Sequence, residues 1–533
     1  MLTSTPFPVG VDGYFYPVQL RSILETGGLQ YPASPLAFYL MAPFAAATDP
    51  ITGAKLGAAV LGALIALPAY GVGAELCRDG DDKGRGAGLV AAALATSSAG
   101  SMYLTIEFVK NGIGLTVAMT ALWLVLRALR MPSRRTAGIA IAGIVAAMLT
   151  HKMAAGLVLG IAIPAAIVEA YRRGKLKWRR ALPLAIAGGV LGVIVLIGIL
   201  MPQRFLSPTD LDLIEGLFTS NADWSLPVRQ GKLRLDYEPV IALVLALGAA
   251  TVLVLERPTA RARLLLLAVV IQVAGELIGV GTLIAGSGVI LWIVAGGGIA
   301  LAFGGMFLRH RVMRWPGATP VAREGAGRNV VAWSAIALAV LIGLPWLDTS
   351  SSQGLAMRLR VIAFVPMALC GAIILRALPR RLGRFRTPIG AAIAAVTVMI
   401  HAGVRKPEGL IPTHPALVAS ASAVRIPDDA VAIVPERHIA YMVAWYARAK
   451  ISLRPELVEP ERRYRVVPLH FIGVGSQLDR ALIGAREDPS LSITGVHPLH
   501  PNGMVVVPEA TWRVVLERIE GIERMRLDAW PTL

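Results

Sequence analysis

The chain has 533 residues, of which 55% are hydrophobic and 16% charged, with a net charge of +18 and a mean hydropathy of +0.63. Soluble domains carry about 25% charged residues. This composition therefore excludes a secreted disulfide scaffold, a disordered protein and a cytosolic nucleic-acid binder, and marks a polytopic membrane protein.

The first 52 residues contain no span. Crossing a bilayer takes about 20 mostly apolar residues, and the apolar stretch Leu36 to Ala47 is short and carries Pro43. It reads as a helix lying in the membrane interface. Twelve longer apolar segments follow, near 53–76, 87–104, 112–130, 137–150, 154–171, 182–201, 238–255, 263–283, 288–308, 329–347, 360–378 and 387–404. The fourth and fifth are short and meet at the tight turn Thr150-His151-Lys152. Two spans are expected there, with a re-entrant hairpin as the alternative.

Before residue 405 there are 36 Lys+Arg and 19 Asp+Glu; from Arg405 to Leu533 there are 16 and 15. Of the 36, 26 fall in one alternating set of loops, which identifies that face as cytoplasmic. The excess charge thus sets orientation and indicates no nucleic-acid partner. Residues 1–52, the 202–237 loop and everything after 405 fall on the outer face. An outer N-terminus needs something to export it, so a helix preceding Met1 is expected.

From 405 to 533 strand-like runs (Ala430–Val434, Tyr464–Leu469, Met504–Val507) interleave with helix-like ones (His438–Ala449, Ala510–Glu520). The expected architecture is an all-α membrane bundle of about twelve helices (53–404) with a small α/β extracytoplasmic domain (405–533). No internal repeat is visible, which argues against many transporter folds. Cys77 lies beside a charged loop and Cys370 inside an apolar run, so no disulfide is expected.

Acidic residues near the lipid boundary are informative because burying them is costly. Asp12 stands in Gly10-Val11-Asp12-Gly13-Tyr14-Phe15-Tyr16-Pro17, followed by Arg21. Glu107 stands in the short outer loop Glu107-Phe108-Val109-Lys110-Asn111. A carboxylate so placed can act as general base, and fixed cations beside it can hold a phosphate. Lys110, Lys152, Arg358 and Arg360 lie on the outer side, which is otherwise poor in positive charge, and His151 borders the same turn as Lys152.

An aspartate opening the first outer loop is followed by aromatics, an arginine, Ile23-Leu24-Glu25-Thr26-Gly27 and Pro35-Leu36-x-x-Tyr39 leading into an apolar helix. This resembles the GT-C superfamily of integral-membrane glycosyltransferases, which includes protein O-mannosyltransferases, aminoarabinose transferases and oligosaccharyltransferases. The motif covers about residues 10–45 and 105–112; the organisation covers nearly the whole chain. The resemblance implies a multi-pass enzyme of the bacterial inner membrane. Its donor would be a sugar on a polyprenyl phosphate, its reaction inverting, and its acceptor a lipid, glycan or protein.

On that resemblance Asp12 and Glu107 are the catalytic positions. Tyr14, Tyr16, Arg21, Lys110, Asn111, His151, Lys152, Arg358 and Arg360 are substrate-binding. The oligosaccharyltransferase Trp-Trp-Asp motif is absent from the C-terminal region, so transfer to asparagine is not expected. No Asp-x-Asp pair flanks Glu107, so a site of several carboxylates for a divalent metal lacks its second acid, and no cofactor is expected. His497-Pro498-Leu499-His500 has no completing ligand nearby. Gly296-Gly297-Gly298 inside a span reads as helix packing. The competing readings are a non-catalytic polysaccharide assembly or export subunit, and a lipid or solute carrier; the latter would rest on Glu276, the clearest charge inside a span.

Overall fold

The computed structural model describes residues 5–78 except 9 and 11, 84–173, 237–255, 326–343, 347, 355–375, 385–403, 415–434, 436–452, 455–468, 477–488, 494–495 and 504–519. The chain forms two compact units. One joins residues 1–60, 105–109 and 409–533; the other comprises 61–104 and 110–408.

In the first unit, helix α1 (Phe15–Thr26) follows a tight turn in which Gly13 N donates to Gly10 O and Phe15 N to Asp12 O. Pro17 is tolerated because it falls in the first turn, where its missing N–H has no partner to lose. Gly27 ends the helix at φ +75, its N–H returning to Ile23 O, as a left-handed cap requires. Gln19 then clasps Tyr31, donating to its carbonyl and accepting from its N–H. Helix α2 occupies Leu36–Ala47, the bounds of the expected interfacial helix. Asp49 Oδ1 accepts the N–H groups of Ile51 and Thr52 and so starts α3 (Pro50–Ala63). The α2–α3 corner is close: a Cβ on Gly53 would lie 2.3 Å from Ala45 Cα.

The same unit holds a five-stranded sheet. Its strands are β1 (Val431–Ile433), β2 (Lys450–Ser452), β3 (Arg463–Pro468), β4 (Thr494–Gly495) and β5 (Met504–Pro508), in spatial order β2-β1-β3-β5-β4. β1 runs parallel to β2 and β3; β5 runs antiparallel to β3 and β4. Helices Gln477–Arg486 and Glu509–Glu517 bury Leu478, Leu482, Trp512 and Val515 against Val467, Val505 and Val507 of the sheet. The three expected strands coincide with β1, β3 and β5. β2 and β4 are edge strands of three and two residues, too short to show period-two alternation.

In the second unit α4 (Ala66–Cys77), α5 (Arg85–Thr96), all but the last two residues of α6 (Ala99–Ile106), all but the first residue of α7 (Val109–Arg130), α8 (Arg134–Thr150) and α9 (Lys152–Arg172) are joined by helices Tyr237–Leu255, Ala326–Gly343, Leu355–Val361, Phe364–Ile374 and Arg386–Gly403. Small residues let the backbones meet. A Cβ on Gly86 would reach Arg386 O at 2.1 Å, one on Gly390 would reach Gly86 O at 2.3 Å, and one on Gly71 would enter the Trp123 ring.

Among the described residues, Pro50–Cys77, Val109–Arg130 and Ala356–Ile374 are long and apolar enough to cross a membrane. The pair α5 and α6 is a fourth if counted as one span bent by 48°. Nine expected segments fall on helices. Those at 182–201, 263–283 and 288–308 lie outside the described residues, as do Glu276, the glycine run at 296–298 and residues 202–236.

Ion pairs and backbone contacts tie helix ends in this unit. Arg130, ending α7, pairs with Glu75 of α4 at 2.9 Å, and Arg173 pairs with Glu169 at 2.8 Å while donating to Leu129 O. Arg328, opening helix Ala326–Gly343, donates to Arg78 O. The arginine-bearing ends of α4, α7 and α9 thus meet the start of that helix at one end of the bundle. Elsewhere in the bundle Glu238 accepts the N–H groups of Ala99 (2.5 Å) and Gly100 (3.0 Å), capping α6.

Candidate active site

The loop before α1 places Asp12. Gly10 takes φ +85, and a Cβ there would meet Ile106 O at 2.6 Å and Glu107 Oε2 at 3.1 Å. The Asp12 loop therefore rests directly on the segment 105–109, and the two acids read as catalytic are brought into one neighbourhood. Glu107 is buried at 7% exposure, whereas the Asp12 side chain keeps 14%.

Arg437, the first residue of helix Arg437–Tyr446, puts its Nε 2.9 Å from Asp12 Oδ1. Oδ1 itself is shut from solvent and receives no aligned hydrogen bond, so the contact is an ion pair. The solvent-reached part of the side chain lies away from Oδ1. Arg437 sits over Tyr441, 5.9 Å from the ring centroid. Burial pulls the guanidinium down, but Asp12 and Tyr441 push it up further, so its pKa is raised. Burial also raises the Tyr441 hydroxyl and the neighbouring Glu436 carboxyl.

Helix Arg437–Tyr446 lies along α1 in the same sense. Tyr14 packs edge-on against His438 and Tyr446, both at 5.6 Å, and its hydroxyl is 3.3 Å from that of Tyr446. Phe15 lies 4.8 Å from Tyr441. Arg21 donates to the carbonyls of Ala444 (2.9 Å) and Trp445 (2.8 Å) and covers the Trp445 ring at 4.7 Å. Those carbonyls belong to the last turn of the helix, where a cation complements the dipole. Burial, helped by nearby Arg448, lowers the Arg21 pKa.

Three residues read as substrate-binding are thus engaged within the protein. Tyr14 and Tyr16 are buried, Tyr16 against Phe15 and Phe38, and Arg21 holds the helix end. The other six fall in the second unit. Lys110 and Asn111 stand in the first turn of α7. His151 is buried against α7, where a Cβ on Gly114 would lie 2.4 Å from its Cβ. Its Nδ1 faces the N–H of Ala154 at 3.4 Å. Lys152 opens α9. Arg358 and Arg360 lie in helix Leu355–Val361, with Arg360 Nε buried.

Sequence reasoning missed Arg437, because it stands among balanced charges with nothing local to mark it. Of the C-terminal histidines, His438 is buried beside Tyr14; His414, His470, His497 and His500 lie outside the described residues.

No protein-family model matches the chain, and no curated protein matches it. Two solved structures of ArnT from Cupriavidus metallidurans superpose on it loosely. One, in the apo state, is 14% identical, covers 95% of this chain and 94% of its own, and gives a TM-score of 0.38. The other, bound to undecaprenyl phosphate, is 15% identical, covers 94% of each chain and gives 0.40.

Proposed function

We propose that the chain is an integral-membrane glycosyltransferase of the GT-C type. It moves a sugar from a polyprenyl-phosphate donor to a hydroxyl of a lipid, glycan or protein acceptor, on the outer face of a bacterial inner membrane. On this reading residues 1–52 form the first outer loop, 53–404 the transmembrane domain and 405–533 the extracytoplasmic domain. The reading rests on the motif at 10–45 and 105–112. The observation that carries it is a paired carboxylate, Asp12, on a loop whose Gly10 rests against the Glu107 segment, with Oδ1 enclosed and 14% of the side chain still reached by solvent.

Asp12 accepts the proton of the acceptor hydroxyl. The acceptor oxygen bonds to the anomeric carbon with inversion, and the carbon–oxygen bond to phosphate breaks, its electrons leaving on the polyprenyl phosphate. Glu107 orients the acceptor or Lys110. Lys110, Asn111, His151, Lys152, Arg358 and Arg360 receive the donor and the departing phosphate, whose charge is best met by fixed cations. The partners are the lipid-linked donor, the surrounding lipid and an acceptor, and the reaction as written draws on no cofactor.

The test is transfer of label from radiolabelled polyprenyl-phosphate sugars by the purified protein and its Asp12→Asn variant. Label moving to an acceptor, or to water, with wild type alone supports the reading. A folded wild type inert toward every donor would sink it in favour of an export subunit or carrier.

A further inference from the structure

Resting on that reading, we propose that Arg437 is the positioning residue of the reaction: it fixes Asp12 through Oδ1, so that Oδ2 meets the acceptor. The C-terminal part of the chain then completes the reacting centre as well as folding beside it.

Four observations converge. The 2.9 Å contact joins Nε to Oδ1. Oδ1 is enclosed and has no aligned hydrogen-bond donor, so this ion pair is what holds it. Arg437 is itself held: it lies over the Tyr441 ring, and Tyr441 is wedged between Phe15 at 4.8 Å and Tyr31 at 5.8 Å. The helix that carries Arg437 is tied to α1 at its far end by Arg21. A carboxylate on a loop is otherwise free to rotate about χ2. A permanently charged, planar guanidinium on an anchored helix removes that freedom. When the hydroxyl proton arrives on Oδ2, Arg437 gives up no proton and forms no bond.

The experiment compares wild type, Arg437→Gln and Arg437→Lys as full-length protein in detergent, measuring kcat, donor KM and Tm. Arg437→Gln is expected to lower kcat about 100-fold, the scale of a misplaced reacting group. Donor KM should stay within about twofold, and both variants should remain folded with a cooperative thermal transition, Tm falling by a few degrees at most as the enclosed Oδ1 loses its partner. Arg437→Lys, which keeps the charge without the planar fork, should recover part of the loss. Wild-type kcat in Arg437→Gln, or a rise in KM alone, would overturn the positioning role and leave the transferase reading standing. Unfolding of both variants would also overturn it, by making the pair structural. A wild type inert toward every donor removes both.

Discussion

Gly10 and Glu107 lie so close that no side chain fits between them: a Cβ on Gly10 would stand 2.6 Å from the carbonyl oxygen preceding Glu107 and 3.1 Å from its Oε2. The backbone at Gly10 is also left-handed, at φ +85. Gly10→Ala therefore meets a conformational cost of about 1–2 kcal/mol and a clash with backbone that cannot swing aside. The loop, and Asp12 with it, must move. Transfer should fall by more than about tenfold while most protein remains folded; equal activity would separate the loop's position from the chemistry.

Arg21 was legible as a cation near an acid, and its contacts give it a different task. Its two hydrogen bonds satisfy carbonyls at the end of helix Arg437–Tyr446. Arg21→Ala leaves both without these donors and should destabilise the first unit by about 2 kcal/mol. Limited proteolysis of the C-terminal region should accelerate at a donor KM close to wild type. A large KM effect with unchanged Tm would assign Arg21 to the donor.

Glu238 gives a prediction for the second unit. Its carboxylate caps α6 through Ala99 and Gly100. Glu238→Ala removes an N-terminal cap and should cost about 1–2 kcal/mol, read as a lower Tm in detergent. An unchanged Tm would mean that other groups satisfy those N–H donors.

Glu436 makes stability depend on pH. Burial raises its carboxyl above the unfolded value of about 4.3. A raised folded pKa contributes stability that is complete below the unfolded value and is lost as pH rises through the folded one. At neutral pH, Glu436→Gln should therefore be more stable than wild type, by about 0.5 kcal/mol after allowing for its partial exposure. Tm measured in both proteins between pH 4 and 8 should show the advantage shrinking toward the acid end. An advantage independent of pH would remove the carboxyl as its cause.

The apolar helices were readable because each is apolar over many residues, and Asp12 and Glu107 were singled out as candidates because acids are scarce in such surroundings. The break between α5 and α6 was not: Thr96 and Ser97 return their hydroxyls to Ala92 and Ala93 carbonyls, a local competition that hydropathy does not register. Helix α1 was missed because Tyr14-Phe15-Tyr16-Pro17 carries extended and aromatic preferences; in the structure it packs on helix Arg437–Tyr446. The same packing absorbs Tyr14 and Arg21. Tyr14 and Tyr446 are 432 positions apart, and no periodicity or motif connects residues at that separation.

The first unit is assembled from both ends of the chain, residues 1–60 and 409–533 with 105–109 between. On the ribosome these pieces are made far apart in time. Asp12 emerges first and waits, without its counter-ion, while nearly every other helix is translated. A nascent chain arrested before Pro415 would hold α1 with its aromatic face uncovered and should be cut there by added protease, whereas release past Trp512 should protect it. Maturation of the centre is thereby tied to completion of synthesis.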